Sequence, residues 1–163
     1  MHCCIALLPP SAPQTLKLLD YVVFNALIGN HNVRGKNFSL FYLPAGTVLT
    51  PLYDALCAAV YSTPTEKIAM KIGSKYKFFE VQARHWEQFA AEAALSLAQV
   101  KRRVVNIAKR LPDLSRVTHA AFQAQENHHA VIDKSITLIN QRYALTIHEL
   151  TKPQAEKPAP TAG

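Results

Sequence analysis

Glycine is scarce in this chain, with five in 163 residues: Gly29, Gly35, Gly46, Gly73 and Gly163. None fall into the G-x-G-x-x-G spacing of a phosphate-covering loop, so the chain offers no such nucleotide cradle. Cysteine is scarcer, with three residues, of which Cys3 and Cys4 are adjacent. That count and spacing exclude a disulfide framework and a tetrahedral zinc site. Cys57, in an apolar stretch, reads as a small core residue of a helix. No apolar run approaches the roughly 18 residues of a membrane-crossing helix. The run from Cys3 to Leu8 is short and has no basic segment before it, so no signal peptide is expected and a cytoplasmic location is the expectation. Acids are also few, 11 against 18 Lys and Arg, for a net charge of +7.

What is present describes one domain with a sizeable core, since 49% of the residues are hydrophobic. The positive charge is concentrated in residues 71–116, which hold Lys71, Lys75, Lys77, Arg84, Lys101, Arg102, Arg103, Lys109, Arg110 and Arg116 against Glu80, Glu87, Glu92 and Asp113. A field of that sign favours nucleic acid or an acidic protein as partner.

Hydrophobic spacing predicts a buried helix over 14–28 (Leu16, Leu19, Val23, Leu27, Ile28), stopped by Gly29. Residues 38–43 and 47–49, joined at Pro44-Ala45-Gly46, read as a β-hairpin. A second helix is expected from Pro51 to about Tyr61, then a loop over 62–66 and a short strand over 67–72. Beyond residue 83 the pattern is helical. One helix is expected over 84–95, and another opens at Ser96 with an apolar stripe of Leu97, Val100, Val104, Ile107 and Leu111. Pro112 is expected to end that helix. A long one follows over 116–148, with Val117, Ala120, Ala121, Ala124, Val131, Ile132, Leu138 and Ile139 on one face. Trp86 and Phe89, one turn apart, are candidate core anchors, and His128-His129 reads as solvent-exposed. The expected fold is mainly α with a small β-hairpin, with a domain over 14–149, an N-terminal remnant over 1–13 and a disordered tail over 150–163 rich in Pro, Ala and Lys.

The most informative segment is LIGNHNVRGKNFSLFYLPAGTVLTPLYD, Leu27 to Asp54. Asn32 and Asn37 stand five positions apart in a polar loop, and Asp54 follows two apolar runs. Phosphoryl transfer is mostly positioning and charge stabilisation, and it uses this order: a base position, a metal-binding Asn, then a metal-binding Asp. The ordinary readings are a turn-tolerant Asn32, a loop-capping Asn37 and a helix-start Asp54.

GNHNVRGKNFSL, LTPLYDALCAAVY, KIAMKIGSKYKF and ARHWEQFA, in that order, resemble the C-terminal half of HipA-type toxin kinases, the serine/threonine-protein kinases of bacterial toxin–antitoxin modules. The resemblance runs from about Leu16 to Leu145 and implies the α-helical lobe of a kinase-like fold. By position it assigns Asn37 and Asp54 to magnesium, and Lys36, Asn37 and Asp54 to Mg–ATP; Phe38 and Ser39 match as well. Two positions depart from the pattern G-N-x-D-x-H-x-K-N-F-S: Asn32 replaces the catalytic Asp and Arg34 replaces His. An Asn holds a hydroxyl by hydrogen bond but is no proton acceptor. The family's N-terminal lobe has no counterpart in the motifs of this chain, so the chain alone is expected to be inactive, a pseudokinase by itself. The implied partners are a helix-turn-helix antitoxin, operator DNA and a separate N-terminal kinase lobe, with no membrane. Arg102, Arg103, Lys109 and Arg110 are the candidate DNA-phosphate contacts. The alternative function is a non-catalytic module that binds DNA or antitoxin.

Overall fold

The computed structural model describes residues 12–61, 67–125 and 129–152. Among them are four α-helices and two separate two-stranded antiparallel hairpins. Helix α1 spans Ala12–Ile28, and its apolar residues Leu18, Leu19, Val22, Val23, Ala26 and Leu27 are buried. A helix this apolar on several sides is covered on several sides. Helices α3 (Leu97–Ala124) and α4 (Ala130–Thr151) both pack against it and against each other, while α2 (Ala83–Glu92) packs on α3. The expected stripe on α3 is the buried one, with Val100, Val104 and Leu111 in the core together with Ala108. Trp86 and Phe89 are buried edge to face, ring centroids 6.1 Å apart, and anchor α2 in that core.

The expected hairpin forms as β1 (Leu40–Leu43) and β2 (Gly46–Leu49), with Leu40 opposite Leu49 and Leu43 opposite Gly46. Phe38 and Ser39 precede the strand rather than joining it. Helix α1 straps the end of β2: Gln14 Oε1 accepts from the Leu49 N–H at 2.9 Å, and Lys17 Nζ donates to the Leu49 carbonyl at 2.8 Å. A second hairpin pairs β3 (Lys67–Ile72), where a strand was expected, with β4 (Lys75–Lys77), which the sequence pattern did not reveal.

Four expectations fail locally. Residues 51–57 form no helix, and only a single 3-10 turn, Ala58–Val60, follows them. Asp54 takes φ +54, which a helix cannot contain, and Leu56 and Tyr53 point outward, so no apolar face exists to bury. Cys57 is accordingly half-buried before that turn, not a helical core residue. Pro112 does not end its helix: α3 runs through it for 28 residues. A mid-helix proline costs about 3 kcal/mol, which the packing of buried Val104, Ala108 and Leu111 on one side of it offsets. Finally, the long helix expected over 116–148 is two helices: α3 closes at Ala124, and α4 opens behind His129, whose Nδ1 accepts the Val131 N–H at 3.2 Å. Val117 is therefore exposed while Ile139 is buried. Residues 1–11, the 62–66 loop, His128 and 153–163, including most of the expected remnant and tail, lie outside the described residues.

Candidate functional site

The loop begins where α1 stops. Gly29, at φ +79, allows the Asn30 N–H to reach the Asn25 carbonyl (2.9 Å) and its own N–H to reach that of Ala26 (3.3 Å), the paired closure of a Schellman motif. Beyond it the chain alternates. Asn30 turns inward and is 2% exposed, His31 lies toward α4, Asn32 is exposed, and Val33 is buried as the loop's apolar foot.

Asn30 is the loop's internal brace. Its Nδ2 donates to Asn25 Oδ1 (2.8 Å) and to the Asp54 carbonyl (2.8 Å), and its Oδ1 accepts the Asn32 N–H (3.1 Å). Asn25, wholly buried in α1, donates in turn to the Tyr21 carbonyl at 2.8 Å. One buried amide thus fixes the backbone at both Asn32 and Asp54, and each of its polar atoms is satisfied. Neither Asn25 nor Asn30 stood out as a functional residue in the sequence. The available signal was an Asn inside an otherwise apolar helix, with a second one just past the glycine that ends it.

The residues expected to hold metal meet. Asn37 Nδ2 donates to Asp54 Oδ2 at 2.9 Å, and Asn37 Oδ1 accepts the Arg34 N–H at 3.0 Å across the 3-10 turn Gly35–Asn37. Ser39 Oγ and Tyr53 Oη, 2.7 Å apart, make a second link between the same segments, and Tyr53 Oη also donates to the Lys36 carbonyl at 3.4 Å. An amide oxygen and a carboxylate are hard donors of the kind magnesium takes, so the pair fits that ion as part of a set completed by phosphate oxygens or water. Nδ2 faces Asp54 while Oδ1, the ligating atom, faces the Arg34 N–H, so for Asn37 and Asp54 to share an ion the Asn37 amide must turn over. Among the described residues no group of three or more His, Cys, Asp and Glu could hold a metal without such help. Lys36 and Asn32 are exposed on the same loop, free to meet a ligand in solvent.

From behind, α4 holds the loop through Arg142. Its guanidinium donates to the Ala26 carbonyl, lies 3.1 Å from His31 Nε2 and stacks over the Phe78 ring at 4.7 Å. Burial pushes its pKa well below the usual guanidinium range, to about 10, opposed by a smaller electrostatic effect of the Cys57 sulfur.

The four basic candidates on α3 divide. Arg103 makes a bidentate pair with Asp20 of α1, both contacts at 2.7 Å, which raises its pKa and ties the two helices. Arg102, Lys109 and Arg110 are exposed, and no acid among the described residues pairs with them. No helix of the described residues is long and apolar enough to cross a membrane.

Helices gathered around a hairpin-braced loop make this the α-helical lobe of a kinase-like fold. The chain belongs to the HipA-like C-terminal domain family, whose model matches residues 3–115. It is 42% identical over 96 residues to a putative kinase, Y4mE, of Sinorhizobium fredii, covering 59% of this chain and 23% of that protein. It is 30% identical over 104 residues to the serine/threonine-protein kinase toxin HipA of Shewanella oneidensis, covering 64% of this chain and 24% of the toxin. It also matches a chain of the solved Shewanella oneidensis complex of HipA, HipB and operator DNA with a TM-score of 0.64 at 20% identity, over 91% of this chain and 34% of that one. The chain thus spans about a quarter of the length of the curated relatives it matches.

Proposed function

We propose that this chain is the catalytic-loop segment of a HipA-family serine/threonine-protein kinase, acting on Mg–ATP together with a nucleotide-covering lobe, and that Asn32 weakens phosphoryl transfer. The observation that carries the reading is the 2.9 Å contact between Asn37 and Asp54, 17 residues apart in sequence and joined beside the exposed Asn32. When bound, magnesium supplies neutralisation of the phosphate charge. Asp54 and the Asn37 amide oxygen would hold it, and Lys36, exposed on the same loop, would meet a phosphate oxygen. Asn32 orients the attacking hydroxyl through a hydrogen bond and leaves its proton without an acceptor.

The test is phosphate incorporation from labelled ATP into protein. The isolated chain is expected to show none. Joined to a nucleotide-covering lobe, the Asn32→Asp variant is expected to exceed the unaltered chain by roughly 10²–10⁴-fold. Robust transfer by the isolated chain, abolished by Asp54→Ala, would refute the reading.

A second reading is favoured by the exposed Arg102, Lys109 and Arg110 on α3, with which no acid among the described residues pairs. In it the chain is a non-catalytic module that holds DNA or a helix-turn-helix antitoxin, like those partnering toxins of its family. Binding to duplex DNA should then weaken steeply with salt, and the slope should flatten when these three residues become Ala. No binding at low salt removes this reading and leaves the first intact.

A further inference from the structure

Helix α4 presents a cation without a counter-ion. The partners of Arg142 are a backbone carbonyl, a histidine nitrogen and an aromatic face, none of which carries a full negative charge. The carbonyl end of α1 supplies about half an elementary charge. Among the described residues no carboxylate pairs with Arg142. A guanidinium has five N–H donors in a planar fork, and Ala26 and His31 occupy two of its edges. Water-poor burial makes the remaining charge expensive, so an anion that reaches it is strongly favoured over solvent.

Beside this fork lies a cleft of about 270 Å³ between α4 and the turn at Phe78–Phe79. Phe78, Phe79 and Leu138 give it apolar walls, His31, Gln141 and Arg142 give it polar groups, and no acidic side chain lines it. The volume sits at the lower edge of the roughly 300–1,000 Å³ of small-molecule sites, enough for a ring with one charged head and too small for a nucleotide.

We propose that this cleft binds a small oxyanion, phosphate or carboxylate, carried on an apolar body, with Arg142 taking the anion and Phe78, Phe79 and Leu138 the body. The site is separate from Asn37 and Asp54, which do not line the cleft, so it stands or falls independently of the kinase reading. It does touch the loop from behind: His31 is one residue from Asn32, and Arg142 holds the carbonyl end of α1 from which the loop departs. A ligand on Arg142 therefore bears on the same backbone that carries Asn32.

The experiment is a heteronuclear NMR titration of the full 163-residue chain with phenyl phosphate, benzoate, inorganic phosphate and phenol. Saturable shifts centred on His31, Gln141 and Arg142 are expected with phenyl phosphate, at least about tenfold tighter than with inorganic phosphate or phenol alone, because both halves of the site are then filled. Comparable binding of benzoate assigns the head to either oxyanion; its failure assigns phosphate. Gln141→Glu, at an exposed position that leaves the core untouched, places a like charge at the cleft and should weaken binding roughly tenfold. Arg142→Lys keeps the charge, loses the fork and should bind more weakly than the unaltered chain. The absence of saturable shifts at these residues, or equal affinity in the Gln141→Glu variant, overturns the proposal.

Discussion

Asn30 and Gly29 do different kinds of work at neighbouring positions. Asn30 is a buried amide that makes three hydrogen bonds, to the Asn25 side chain, the Asp54 carbonyl and the Asn32 N–H. Removing it strands Asn25 Oδ1, the Asp54 carbonyl and the Asn32 N–H. Asn30→Ala is expected to lower stability by about 2–4 kcal/mol, read as a shift in the urea midpoint at unchanged slope. A loss below about 1 kcal/mol would mean that water substitutes for the amide. Gly29 is required by space as well as by its dihedral. A Cβ there would stand 2.6 Å from Leu138 Cδ2 and 2.9 Å from Ala59 Cβ, at φ +79. Strain and overpacking add, so Gly29→Ala should cost about 2–5 kcal/mol in the same assay. The position is where α1, α4 and the 58–60 turn meet, and only a bare backbone fits between them.

At the scale of elements, charge and caps decide more than apolar pattern does. Arg103 joins α1 to α3 across 83 residues of sequence and is about one-third exposed, so screening limits its worth. A double-mutant cycle on Arg103→Ala and Asp20→Ala should give a coupling of about 0.5–1.5 kcal/mol, and Arg103→Ala alone should leave DNA binding unchanged if Arg102, Lys109 and Arg110 carry it. The box at the start of α2 predicts a pH effect. His85 is buried, its Nδ1 accepts the Gln82 N–H at 2.8 Å, and burial, then the charge on Arg84, push its pKa below 6.5. The folded state therefore binds this proton less readily than the unfolded chain. Its contribution is complete above about pH 6.5 and is lost as pH falls through the folded-state value. His85→Asn, which keeps an acceptor for Gln82, should flatten that acid limb in thermal melts at successive pH values. How much of this was legible follows from where each signal lives. Ser96 is a local device and caps α3 as expected; the structure adds that it does so with Gln99, the last residue of an S-x-x-Q box. The meeting of Asn37 with Asp54 was legible through motif order alone. The non-helical 51–57 segment was not, because the hydrogen bond from Asn30 that holds Asp54 comes from elsewhere in the chain. Pro112 misled for the complementary reason: a strong local stop was overruled by the core beneath it.

Taken whole, the molecule is unevenly covered. Phe41, Tyr42 and Leu43 of β1 are all exposed, Tyr42 by 82%, and Leu56 and Tyr61 are exposed nearby in sequence. Leu40 packs against the core, but the opposite face of the strand, Phe41 and Leu43, is left half-exposed and contributes little to stability. The double variant Phe41→Ser, Leu43→Ser is expected to hold its unfolding free energy within about 0.5 kcal/mol of the unaltered chain while binding less of a hydrophobic dye and scattering less light. A large loss of stability would show that these side chains belong to the core after all.

The reach of Arg142 back to Ala26, 116 residues earlier, sets a clock on synthesis. The carbonyl at the root of the loop leaves the ribosome 116 residues before the arginine that clamps it from behind. At about 5–20 residues per second the interval is on the order of ten seconds. During it the nascent chain carries Asn32, Asn37 and Asp54 without the clamp from α4. A prematurely terminated chain lacking α4 would therefore display the whole loop sequence without its rear support.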